Sequence, residues 1–164
     1  MNIDFIILAA GKGTRMRGDS PKVLASLAGK PMIQHLIDTV DSFPGSKTSI
    51  VVGYKSNEVE RDLVSQKKLC FVKQKNQLGT AHAVKQALPN IRKNSVAVIL
   101  YGDVPLVKKH TLSRLIKSAS KGKLSLLTFI KDDPTGYGRI IRGSKKNVQK
   151  ITEHKDASSA EKEI

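Results

Sequence analysis

The residues with the most chemistry to offer are two glycines, two basic residues and an aspartate, all beside apolar runs. Gly11 and Gly13 lie in Leu8-Ala9-Ala10-Gly11-Lys12-Gly13-Thr14-Arg15-Met16, directly after the run Ile3–Leu8. Glycines at such a place let backbone N–H groups come close to anionic oxygens, so the segment has the make-up of a phosphate cradle. A G-x-G is weak on its own, because it lacks both the third glycine of a dinucleotide fingerprint and the G-K-[ST] of a Walker loop. Ser20-Pro21-Lys22 adds weight, since Arg15 and Lys22 can converge on one triphosphate from the two sides of a single loop. Asp103 closes the run Val96–Tyr101, so its carboxylate is expected to project into the loops where α/β sheets bind ligands. Mg²⁺ commonly takes one or two protein carboxylates and completes its octahedron with phosphates and water, which Asp103 would suit.

Gln74 follows another apolar run, Leu69-Cys70-Phe71-Val72, and its amide can pair with a base edge because it both donates and accepts. Gly79-Thr80 opens a helical pattern, where free N–H groups face a ligand and where the Thr80 hydroxyl could equally cap the helix. Gly138 suits the turn of a plain hairpin. His35, His82, His110 and His154 show no metal-ligand spacing and are assigned no role. Cys70, the single cysteine, is expected to be a small buried hydrophobe.

The elements that must position these residues follow from periodicity. Continuous apolar runs at Ile3–Leu8, Ser49–Val52, Leu69–Val72, Val96–Tyr101 and Leu124–Ile130 read as buried strands. Between them, Met32, Ile33, Leu36, Ile37 and Val40 fall at helical spacing behind Pro31. A second helix is expected from Thr80 to Leu88, and a third around Leu112, Leu115, Ile116 and Ala119 up to Gly122. This alternation predicts a doubly wound, Rossmann-like, mainly parallel sheet with helices on both faces and ligands beyond the carboxyl ends of its strands. After about Asp132 the segments shorten to Gly138–Arg142 and Val148–Thr152, which predict a hairpin, followed by a short helix capped by Ser158 or Ser159.

At 164 residues and 39% hydrophobic content the chain is expected to be one domain, residues 1–164, folding without disulfides. The formal charge of +15 favours anionic partners. Its lysines lie singly or in short pairs with little aromatic interleaving, which argues against nucleic acid. No apolar run is long enough to span a bilayer and no basic signal region precedes the first strand, so no membrane contact and a cytoplasmic location are expected.

Taken whole, Leu8 to Met16 with Pro21-Lys22 resembles the signature of the nucleotidyltransferases that make nucleoside-diphosphate sugars. Gln74 to Ala83, Tyr101 to Leu106, Asp132 to Ile140 and Glu153 to Asp156 narrow the resemblance to the bacterial N-acetylglucosamine-1-phosphate uridylyltransferases, over essentially the whole chain. The resemblance implies a reaction between UTP and N-acetylglucosamine 1-phosphate that yields UDP-N-acetylglucosamine and pyrophosphate for cell-wall precursor synthesis. It implies a uridine nucleotide site of Leu8, Ala9, Ala10, Gly11, Gly13, Lys22, Gln74, Gly79, Thr80, Tyr101, Gly102 and Asp103. Sugar contacts are implied at Gly138 and Glu153, Mg²⁺ at Asp103, and catalytic roles for Arg15, Lys22 and Asp103. In that family the domain continues past the position of Ile164, where it supplies a sugar-contacting asparagine, a second metal ligand and usually a β-helix acetyltransferase domain. This C-terminal part of the family domain is absent from the sequence. The expectation is therefore a chain that holds nucleotide better than it turns it over and that, through uncovered apolar surface, is marginally stable or self-associates. Two rival readings share the first loop: a transferase for another sugar or alcohol phosphate, and a non-catalytic nucleotide-binding remnant.

Overall fold

The computed structural model describes residues 1–11, 20–144 and 147–164, which form two compact units, Met1–Leu126 and Leu127–Ile164. In the first unit, β1 (Asn2–Ala9) leads to a small hairpin of β2 (Ser26–Leu27) and β3 (Lys30–Pro31) and then to α1 (Met32–Asp41). There follow β4 (Lys47–Val52), α2 (Ser56–Asp62), β5 (Leu69–Lys73), α3 (Thr80–Ala87), β6 (Ser95–Tyr101) and α4 (Lys109–Ala119).

Four of these strands make a parallel sheet in the order β5-β4-β1-β6. The interior strands β1 and β4 are buried nearly throughout because both of their faces are covered. Phe5, Ile7 and Ala9 of β1 pack into one layer with Ile33, Leu36, Ile37 and Val40 of α1 and with Leu112 and Ile116 of α4. Ile6, with Ala10 just beyond the strand, faces the other layer, against Ala83 and Ala87 of α3. The alanines let that helix lie close to the sheet. The chain thus forms the doubly wound sheet that its periodicity predicts, and the strand order reverses between β1 and β6, the place where such sheets open a crevice.

Near the start of β1 the sequence buries a charge that its apolar pattern does not announce. The Asp4 side chain is 2% exposed and is gripped by Arg92, whose backbone N–H donates to Oδ2 (2.8 Å) and whose Nε donates to Oδ1 (2.8 Å). Burial pushes the Asp4 carboxyl up. The Arg92 side-chain and backbone hydrogen bonds, helped by Ser95, outweigh that and hold it below its ordinary value.

Two sequence expectations are corrected. Leu124–Ile130 forms no strand, and Leu124, Leu127, Phe129 and Ile130 are exposed. A β-favouring composition becomes a strand only where a neighbouring edge completes its hydrogen bonds, and no described segment pairs with this one. Cys70 is exposed, not buried: it lies near the start of β5, an edge strand of the sheet that has a neighbour on one side only. The short helix α2, which offers only Val59 to the core, has too little apolar periodicity to be foreseen.

In the second unit β7 (Arg139–Arg142) and β8 (Val148–Thr152) form the expected antiparallel hairpin, followed by α5 (Ser159–Lys162). Ser158 and Glu161 cap that helix reciprocally. Hydrogen bonds from Lys150 and from the Ser158 backbone lower the Glu161 carboxyl to about 2. Among the described residues no helix is long and apolar enough to cross a membrane.

Candidate functional site

The carboxyl ends of β1, β5 and β6 meet at a cavity of about 540 Å³ within the first unit. Leu8, Ala9, Ala10 and Gly11 come to it from the end of β1. Gln74, Gly79 and Thr80 come from the connection between β5 and α3, Tyr101 and Asp103 from the end of β6, and Lys22 from the turn before the small hairpin. Ten of the residues expected to hold a nucleotide therefore share one wall. Gly102 stands behind it, buried, and its N–H donates to the Leu8 carbonyl (2.9 Å). Gly13 and Arg15 lie outside the described residues.

At one end the cavity is charged. Lys22 Nζ is 2.7 Å from Asp103 Oδ2, and both side chains are about one-third exposed (38% and 36%). Buried Val23 anchors the turn that carries Lys22. Asp103 sits just past β6 in a turn closed by the Val104 N–H donating to the Tyr101 carbonyl (3.0 Å). Among the described residues no three His, Cys, Asp or Glu side chains gather as a metal site. Asp103 alone fits only a cation that brings most of its other ligands with it, such as Mg²⁺ bound to phosphates and water.

At the other end Gln74 is 96% buried, with 4% of its surface exposed. Its Nε2 donates to the Gly79 carbonyl (3.2 Å) and lies 2.9 Å from His82 Nδ1. Gly79 opens α3 at φ 96° and ψ 179°, a backbone region that is essentially confined to glycine. The Thr80 hydroxyl makes no capping hydrogen bond, which corrects one of its two expected roles. Gly79, not Thr80, occupies the cap position, so the first N–H groups of α3 have no side-chain partner there.

Two residues that hold the Ala10 backbone at the end of β1 are given no individual role by the sequence, although Gln77 falls within the Gln74–Ala83 segment. Gln77 Nε2 donates to the Ala10 carbonyl (2.8 Å), and Gly53, just past β4, comes so close that a Cβ on it would lie 2.9 Å from the same oxygen. Replacing Gly53 by alanine would force this backbone apart. Overpacking of this kind costs about 1–3 kcal/mol. Gly53→Ala is expected to lower the denaturation midpoint and to weaken nucleotide binding together. A variant with the parent's stability and affinity would show that the loop root relaxes freely.

In the second unit, a Cβ on Gly138 would lie 3.3 Å from Ile151 Cγ2 and 3.8 Å from Glu153 Oε2. Gly138 and Glu153 are therefore neighbours, and the glycine keeps the space beside that carboxylate open.

A parallel sheet with its crevice at the strand-order reversal, a glycine-rich loop after β1 and a lysine–aspartate pair at its mouth define a nucleotidyltransferase-type domain. The chain belongs to the family of MobA-like NTP transferase domains, whose profile matches residues 5–157. It is 46% identical over 162 residues to the bifunctional protein GlmU of Cellvibrio japonicus, an alignment covering 99% of this chain and 36% of that protein. It is 49% identical over 164 residues to the bifunctional protein GlmU of Pseudomonas syringae pv. syringae, covering 100% of this chain and again 36% of the relative. The chain thus spans little more than a third of the length of these relatives. Among solved structures, a UDP-glucose pyrophosphorylase complexed with UDP-glucose superposes with a TM-score of 0.71 at 21% identity, covering 96% of this chain and 72% of that one. That likeness is one of fold.

Proposed function

We propose that this chain transfers a uridylyl group from UTP to N-acetylglucosamine 1-phosphate, giving UDP-N-acetylglucosamine and pyrophosphate. The observation that carries the reading is a single cavity with a buried amide, Gln74, at one end and the Lys22–Asp103 pair at the other. Base recognition and phosphate handling fit those two ends in turn. The 46–49% identity to GlmU proteins over essentially the whole of this chain supports this choice of substrates.

In the proposed reaction a phosphate oxygen of the sugar 1-phosphate attacks the α-phosphorus of UTP. The new O–Pα bond forms as the bond from Pα to the oxygen it shares with the β-phosphorus breaks, and that oxygen leaves with pyrophosphate. The nucleophile is already an anion at neutral pH, so no protein base is needed and the residues contribute alignment and charge. Lys22, with Arg15 assigned beside it from the sequence, neutralises the triphosphate and then the departing pyrophosphate. Asp103 is the residue that would hold Mg²⁺, which when bound supplies positive charge at the phosphate oxygens. Gly138 and Glu153 are assigned to the sugar.

The test is calorimetric titration with UTP and with ATP in Mg²⁺, paired with an assay of pyrophosphate release on adding N-acetylglucosamine 1-phosphate. UTP is expected to bind tighter than ATP, because a pocket fitted to one ring excludes two. Equal affinities would remove the uridine assignment. Release driven equally well by other sugar phosphates would remove the N-acetylglucosamine assignment.

A further inference from the structure

Gln74 can present either face of its amide to the cavity, and two neighbours decide which. The Gly79 carbonyl can only accept, so the atom facing it at 3.2 Å must be the amide nitrogen. The same nitrogen lies 2.9 Å from His82 Nδ1, which must then be the ring nitrogen without a proton. The ring proton accordingly sits on Nε2, against the side-chain amide of Gln86 one turn further along α3 (3.1 Å). That amide accepts the proton through its oxygen after a half-turn about its last bond. With both hydrogens of its nitrogen engaged, Gln74 has its Oε1 left over, and this oxygen accepts no hydrogen bond among the described residues although the side chain is buried and lines the cavity.

We infer that His82 is a specificity-determining positioning residue: by accepting from Gln74 it locks that amide with its carbonyl oxygen toward the ligand, so that the pocket selects a base with a ring N–H donor. The inference rests on the uridine reading of the site and deepens it. Uracil carries such a donor at N3, whereas cytosine has an acceptor there and would meet the Gln74 oxygen with like polarity. An amide turned the other way would present its NH₂ group and reverse that preference. Gly79 alone constrains one hydrogen of the nitrogen, and His82 supplies the second restraint. His82 reaches the base only through Gln74, and so it selects without taking part in the chemistry.

The experiment compares the whole chain with His82→Phe, His82→Asn and Gln74→Ala by calorimetric titration with UTP and with CTP, alongside thermal melts. Phenylalanine keeps the ring's bulk and loses the acceptor, whereas asparagine places an acceptor oxygen where Nδ1 stood. His82→Phe is expected to weaken UTP by about fivefold or more, the usual weight of one hydrogen bond, and to narrow the UTP-over-CTP preference. His82→Asn is expected to restore both to near the parent values, a rescue that a merely structural role would not give. If His82→Phe does not fold, His82→Ala takes its place in the same comparison. Parent-like UTP affinity and preference in the acceptor-free variant, with UTP lost in Gln74→Ala, would overturn the role of His82 and leave the uridine site standing. Unchanged UTP binding in Gln74→Ala would overturn the site assignment and this inference together.

Discussion

Replacing Lys22 by alanine is expected to cut affinity for UTP tenfold or more while slightly improving the binding of a divalent cation by the nucleotide-free protein. In the free protein the Lys22 ammonium and the Asp103 carboxylate neutralise each other at 2.7 Å. Under the proposed function both exchange partners when substrate arrives, the lysine turning to phosphate and the carboxylate to metal. Losing a charge-assisted contact to phosphate costs about 1.5–3 kcal/mol, which sets the tenfold expectation. The gain at Asp103 is much smaller. Both side chains are more than one-third exposed, and such pairs are worth about 0–1 kcal/mol, so unmasking the carboxylate should tighten Mn²⁺ no more than about fivefold. Titrating UTP and Mn²⁺ separately into both proteins reads the two effects. A variant that keeps the parent's UTP affinity would take Lys22 out of the phosphate site.

The largest loss of stability is expected far from the cavity, on cutting Arg92 back to alanine. That change strands the Asp4 carboxylate at the edge of the core, and breaking a buried pair by removing one partner costs about 3–5 kcal/mol. The midpoint of thermal unfolding should fall by on the order of 10 °C. The sign with pH follows from the lowered carboxyl. A folded-state value below the ordinary 3.8 contributes stability that is fully present above that value and disappears as pH falls through the folded one. Without Arg92 the carboxyl has lost the groups that held it down, so the gap between parent and variant should begin to shrink as pH falls through the variant's higher value and should close only below the parent's lowered one, where Asp4 is protonated in either protein. A gap that stays constant from neutral pH to pH 3 would show that lost packing by the Arg92 side chain, and not the charge, sets the cost.

Much of this was legible in the residues. Strands β1, β4, β5 and β6 announce themselves as apolar runs, α1 by its stripe of Ile33, Leu36, Ile37 and Val40, and the residues that follow β1, β5 and β6 in the chain, Gly11, Gln74 and Asp103, do reach one cavity. What a strand pattern cannot say is which strand is an edge, and this is why Cys70 was expected inside. Nor can it say whether a partner exists, which is why Leu124–Ile130 was expected to pair. Contacts made across elements were equally hidden. Gln77 reaches Ala10, and Gly53 crowds it, only because β5 lies beside β4 and β4 beside β1. His82 looked like any polar residue on a helix until α3 brought it against Gln74.

The order of the sheet also dictates the order in which the molecule can be made. β1 is an interior strand whose one flank is completed by β4 and whose other flank, Asn2 with Ser95 through Leu8 with Tyr101, waits for a part of the chain synthesised much later. Pairings between residues so distant in sequence are entropically dear to close and form slowly. Until β6 docks, Leu8 lacks its bond from Gly102 and the cavity lacks Asp103. During refolding, nucleotide binding should therefore appear last, with the slowest phase, and an excess of UTP should slow unfolding without hastening the return of the sheet.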